Sequence, residues 1–151
     1  MQANIYSYED GQLIINSSII NTITKVIQEI EIPIERYSGP EINKAIMNQL
    51  HLFGWSEKIK IDPKSNITIT SMYEKIGLCV QTGNTCRIYA DLMKLQVLYH
   101  RGIILAGIII LADGNIAPKL AQNMASSTRL IRELSIFNTV ITLPLIIVSF
   151  N

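Results

Sequence analysis

Gln81, followed directly by Thr82, Gly83 and Asn84, is the point of this chain that most suggests chemistry. A carboxamide closing an apolar strand can orient a ligand or satisfy stray backbone groups, and Gln-Thr-Gly-Asn taken alone is an ordinary turn signal. Arg87, Asp91 and Lys94 follow at helical spacing. That spacing suits phosphate contacts with Asp91 holding Arg87 in place, but charges so spaced more often form a solvated face, which is the reading preferred here. The run Ser126-Ser127-Thr128-Arg129 with Arg132 could face a polyanion, although a helix start capped by hydroxyls explains it equally. His51 and His100 each fall near a predicted helix end, where the helix dipole is reason enough for them. Cys86 is expected to open a helix as a small buried residue.

These residues need elements to carry them. Ser17 or Ser18 can cap a helix whose apolar positions are Ile19, Ile20, Ile23, Val26, Ile27 and Ile30. A second helix is predicted after Ser38-Gly39, with Pro40 in its first turn, Ile42, Ala45, Ile46, Leu50 and Phe53 on one face, and Gly54 at its end. Trp55 is expected to pack on that end. Three short β signals follow: Ile59 and Ile61, then Ile67 to Thr70 after a Pro63-Lys64-Ser65-Asn66 turn, then Lys75 to Gln81. Short connections predict an antiparallel meander. A helix from about Cys86 to Arg101 leads into Ile103 to Leu111, apolar throughout as a strand covered on both faces must be. Strand, helix, buried strand predicts a right-handed parallel crossover. A helix from about Asn123 to Phe137 and a strand from Val140 to Val148 complete the chain, and Pro144 pushes that strand towards an edge or a bulge. The order α-α-β-β-β-α-β-α-β predicts one α/β domain over residues 1–151, a mixed five-stranded sheet flanked by helices.

Composition narrows the classes. With 151 residues and 48% hydrophobic content the chain can bury one sizeable core. Thirteen Lys and Arg against twelve Asp and Glu leave a charge of +1, so no general basic excess serves nucleic acid and any DNA contact must be local. Two cysteines make neither a disulfide scaffold nor, with two histidines, a good zinc site, and reduced thiols in the cytoplasm are expected. The start MQANIYSYEDGQ lacks the pattern of an export signal. The apolar runs Gly102 to Ala112 and Val140 to Phe150 fall short of the roughly 18 residues that cross a bilayer, so no membrane is expected. No phosphate loop, dinucleotide fingerprint or nucleophile elbow points to a metabolic enzyme.

A helix feeding a meander, then a crossover helix and a parallel strand, is the organisation of the PD-(D/E)XK nuclease core. Three stretches make the likeness specific: RYSGPEINKAIMNQLHLFGW (Arg36 to Trp55), KIGLCVQTGNTCRIYADLMKLQVLY (Lys75 to Tyr99) and ELSIFNTVITLPLIIVSF (Glu133 to Phe150). On these the chain resembles the BglII/BstYI group of type II restriction endonucleases. The resemblance implies that an Asp and a Glu on neighbouring strands hold Mg²⁺ and that a Gln stands two residues after the Glu. Gln81 occupies that position, whereas Cys79 stands where the Glu is expected and Thr70 where the Asp is. Asn43 matches an Asn that some group members place near the active site.

A neutral thiol and a neutral hydroxyl cannot supply the charge that a hard cation needs. Mg²⁺-dependent phosphodiester hydrolysis is therefore expected to be impaired unless acids have migrated, with Glu74, Glu41 or Asp62 as the candidates to serve beside Gln81. The resemblance further implies duplex DNA as partner, Thr82, Asn84, Arg87 and Lys94 as its contacts, a homodimer matching the two-fold symmetry of palindromic sites, and a cognate methyltransferase of a restriction-modification defence system. The other reading from the same residues is a catalytically silent nuclease fold kept as an interaction or regulatory module.

Overall fold

A computed structural model describes residues 1–151. In chain order the elements are β1 (Ala3–Tyr8), α1 (Gly11–Ile14), α2 (Ser17–Gln28), α3 (Gly39–Leu52), β2 (Ile59–Lys60), β3 (Thr68–Ile69), β4 (Ser71–Tyr73), β5 (Ile76–Gln81), α4 (Cys86–His100), β6 (Ala106–Ala112), α5 (Ala117–Leu120), α6 (Ser127–Leu134) and β7 (Leu145–Phe150). The main sheet is five-stranded and mixed, in the order β1-β7-β6-β5-β4. β5, β6 and β7 run parallel, and β1 and β4 pair antiparallel at the two edges. Every residue of β5, β6 and β7 is buried, which is why these segments read as unbroken apolar runs rather than alternating ones.

Alternation along the central strands sends side chains into two separate cores. Ile76, Leu78 and Val80 of β5 join Ile108 and Ile110 of β6 under the apolar stripes of α2 and α3. Cys79, Ile109 and Ile147 point the other way, into a core closed by Ile88, Leu92, Leu95 and Leu98 of α4 and Leu130 and Leu134 of α6. The result is three layers, helices on both faces of one sheet, with Gln81 closing β5 on the α4 side. Trp55 packs into the first core behind α3, whose chain leaves the helix through Gly54 at φ +87°. No helix is long and apolar enough to cross a membrane.

Several local expectations are corrected. The five strands of the sheet are not the five read from the sequence: β2 and β3 form a separate two-stranded sheet, while β1 and β4 take the edges. β1 is half exposed, so its alternation is too weak to stand out. The final strand starts at Leu145, with Pro144 just ahead of it, and β7 lies inside the sheet between β1 and β6. Pro144 is harmless there because only its carbonyl is used, accepting from the Gly107 amide at 2.9 Å. The α2 cap is Asn16, whose side chain accepts from Ser18 N, rather than Ser17 or Ser18. The helix expected from Asn123 to Phe137 is the shorter α6, capped by Ser126, which accepts from Arg129 N. Cys86 is exposed, because it lies on the side of α4 away from Ile88, which packs into the second core.

The two chain ends meet. Beyond the β1–β7 pairing, Gln2 N donates to Asn151 O at 2.9 Å and Asn151 N to Gln2 O at 3.1 Å.

Candidate nucleic-acid cleft

The chain leaves the small sheet at Ile69 and enters the large one at Ser71, and Thr70 is the joint between them. Its amide donates to Leu78 O at 3.0 Å and its hydroxyl oxygen accepts from Val80 N at 3.0 Å. The β4–β5 pairing ends where Ser71 faces Leu78, and those two bonds break from its ladder to hold Thr70 beside Cys79. Two residues further along the same face is Gln81. The three positions singled out in the sequence are thus brought together at the carboxyl end of β5. Asn43 reaches them from α3, donating from Nδ2 to Val80 O at 3.0 Å.

Asn43, Thr70 and Gln81, together with Lys58, Arg87, Asp91 and Lys94, border a cleft of about 620 Å³, while Cys79 is buried beneath it in the α4-side core. The side chain of Gln81 is fixed at both ends: Oε1 accepts from Gly83 N at 2.9 Å, and Nε2 donates to Asp91 Oδ2 at 2.6 Å. A Cβ at Gly83 would lie 2.9 Å from Gln81 Oε1, so any larger residue there would push the carboxamide aside. Asp91 Oδ1 in turn accepts from Lys94 Nζ at 2.9 Å.

Asp91 changes the reading of α4. It is only 6% exposed and pairs with Lys94 and Gln81, not with Arg87, so the preferred reading of a solvated charged face is overturned. The physical reason is its phase, one turn from both Ile88 and Leu95 on the stripe that packs against the sheet. Arg87 itself is exposed at the cleft rim. A carboxylate in phase with an apolar stripe was the available signal for Asp91 as Gln81's partner; nothing in the sequence pointed to Lys58.

Thr82 borders the cleft and, with Gly83 and Asn84, an adjoining hollow of about 280 Å³ beside Tyr37. Asn84 Oδ1 accepts from Cys86 N at 2.9 Å, opening α4. The carboxylates considered as migrated acids lie elsewhere. Glu74 sits in the turn before β5, seven residues from Gln81 and so about 23 Å away along an extended strand. Glu41 is exposed in the first turn of α3 and does not line the cleft. Asp62 is held in the β2–β3 turn, where Oδ1 accepts from Lys64 N, with Arg101 at 3.9 Å.

The donors present do not fit Mg²⁺. Burial pushes the Cys79 thiol pKa well up, and the nearby Asp91 charge pushes it further, so it stays protonated and neutral. Thr70 offers a neutral oxygen already engaged by Val80 N, and the single carboxylate, Asp91, is occupied by an amide and an ammonium. No group of three acids, histidines or cysteines converges anywhere in the chain.

A search of curated protein sequences finds no match. Among solved structures, the chain matches over its whole length a crystal structure of the restriction endonuclease BglII complexed with a DNA 16-mer, with a TM-score of 0.89 at 13% identity, covering 78% of that chain. It also matches free BglII, with a TM-score of 0.77 at 17% identity, covering all of this chain and 80% of that one. Identities this low speak for the fold alone. At the level of sequence, residues 3–150 match the family described as restriction endonuclease BglII/BglIII, and on that match the chain belongs to the BglII/BglIII restriction endonuclease family.

Proposed function

We propose that the protein binds duplex DNA across the cleft at the end of β5 and cleaves it poorly or not at all with Mg²⁺. The observation that carries this reading is the charge of the cleft: Lys58, Arg87 and Lys94 border it against a single carboxylate, Asp91. Three cations around one anion suit a phosphodiester backbone, and local charge of this kind compensates for a chain whose net charge is only +1. Gln81, Asn43 and Thr70 line the position where a reacting phosphate would lie, with the neutral Cys79 buried behind them, and Thr82, Asn84, Arg87 and Lys94 are the contacts to the strand. Glu74 and Glu41 have no part in this reading.

The functional unit is a homodimer, presenting two such clefts to a two-fold symmetric site, in the reducing cytoplasm and beside a cognate methyltransferase. Both cysteines are free, in keeping with that compartment. Neutral residues at 70 and 79 favour a second reading, a silent nuclease fold used for interaction alone; it differs by requiring no DNA.

The test is fluorescence anisotropy on labelled duplexes beside a plasmid-nicking assay in Mg²⁺. Salt-dependent binding with background nicking is expected. Robust cleavage by the unmodified protein, abolished by Glu74→Gln or Glu41→Gln, would overturn the impaired reading, and absence of binding to any duplex would leave the interaction module.

A further inference from the structure

We infer that the Lys94 ammonium, held in place by Asp91, takes the charge role that a divalent cation has in an acid-lined nuclease cleft, so that this cleft engages a phosphodiester without metal. The inference rests on the DNA-binding reading above for its biological ligand, but its chemistry is that of any phosphodiester.

Asp91 alone would be a buried charge, and burying one is costly unless it is paired and hydrogen-bonded. It is both: Lys94 Nζ lies 2.9 Å from Oδ1 and Gln81 Nε2 lies 2.6 Å from Oδ2. The Lys94 side chain is itself only 23% exposed. An ammonium donates three hydrogens and Asp91 accepts one of them here, which leaves donors for the cleft. The carboxylate thus anchors a cation beside Gln81, where Thr70 and Cys79 contribute no negative charge. With positions 70 and 79 neutral and Asp91 balanced by Lys94, Lys58 and Arg87 leave the cleft with an excess of positive charge. Such a site attracts an anion directly, whereas an acid-lined site repels it until a metal has bound. Asp91 is a positioning residue here, since it acts through Lys94.

The sign of the metal effect follows. Mg²⁺ should not tighten DNA binding, and as a competing counterion it should leave the affinity unchanged or lower it. Binding in EDTA is therefore expected to be at least as tight as in millimolar Mg²⁺, measured by anisotropy with unmodified protein. An affinity that rises about tenfold on adding Mg²⁺ would overturn the inference.

The pair of substitutions Asp91→Asn and Lys94→Gln, made together, leaves the net charge unchanged and avoids the unpaired buried carboxylate that Lys94→Gln alone creates. If Lys94 meets a phosphate, the slope of log affinity against log salt falls by about one in this variant. A merely structural Lys94 leaves the slope unaltered, and that result would sink the idea. Dimethyl phosphate separates this inference from the DNA reading. In EDTA it should shift the NMR signal of the Gln81 side-chain amide in the unmodified protein and not in the paired variant. A shift with dimethyl phosphate but no binding of duplex leaves the metal-free site standing and removes the DNA reading. A shift that appears only with Mg²⁺ overturns the site while leaving DNA binding possible.

Discussion

Thr70 and Cys79 lie side by side at the end of the β4–β5 pairing, so placing acids at both should create a pair of carboxylates on neighbouring segments. Thr70→Asp with Cys79→Glu is expected to bring Mn²⁺ binding into the range of calorimetry, where the unmodified protein gives weak or no heats. Adding Lys94→Gln should tighten that binding by at least about tenfold, because a like charge a few ångströms away repels by several kcal/mol at intermediate effective dielectric. Equal affinities for the double and triple variants would mean that Lys94 does not face the metal position. Cys79 is buried at 1% exposure, so the Glu introduced there will also lower stability, which a urea midpoint measures alongside. At this scale the sequence was informative about Gln81, Thr70 and Cys79 because their relative spacing survives in any strand pairing of that register. It was uninformative about what touches Gln81, since the Asp91 contact depends on how α4 is rotated against the sheet. The helical phase of Asp91 carried that information, but charge dominated the reading.

Between elements, α4 and α6 are held together by a polar clamp above their shared core. The Tyr89 hydroxyl donates to Glu133 Oε2, and Glu133 Oε1 accepts from Arg129 Nε at 2.8 Å. Phe137 adds an edge-on contact to the Tyr89 ring, centroids 5.9 Å apart. The Tyr89 hydroxyl, more than any other group, holds the Glu133 carboxyl below its ordinary range. A depressed carboxylate stabilises the fold fully above its unfolded pKa of about 4.3, and that contribution is lost as pH falls through the lowered folded value. Tyr89→Phe is therefore expected to cost about 1 kcal/mol at pH 7 and to shrink the loss of stability between pH 5 and pH 3, as read from urea unfolding at each pH. An unchanged acid dependence would show that Arg129, not Tyr89, sets the Glu133 carboxyl. α2, α3, α4 and the parallel strands β5 and β6 were legible because each buries a long periodic or continuous apolar run, whereas the short α1 and α5 carry no such run. β1 and β4 were not legible, because short edge segments draw their definition from the strands they pair with, and the start of β7 was misplaced because Pro144 stands just ahead of the strand rather than in it.

For the whole molecule, a mean hydropathy of +0.28 is high for a small domain, and Met93, Ile136 and Val140 remain exposed at 60%, 68% and 62% in the single chain. A homodimer at micromolar concentration is expected, and sedimentation equilibrium giving only monomer would count against it. In the centre of the sheet, Ile109→Ala should cost about 2–5 kcal/mol by opening a cavity between β6 and α4, measured by denaturant unfolding. The pairing of β1 with β7 bears on the history of the fold rather than on its chemistry. β7 is the last strand in chain order, yet it lies between the first strand and β6. A nascent chain can therefore build β4, β5, α4 and β6 as they emerge, but β1 has no strand to pair with until β7 inserts beside it. Sheet closure is thus a late, non-local event that should dominate the folding time. The same adjacency makes the molecule close to circular: joining Asn151 to Met1 through a short linker and opening the chain in the Pro63–Ser65 turn should give a permuted protein with the same sheet, folding by a different order of assembly.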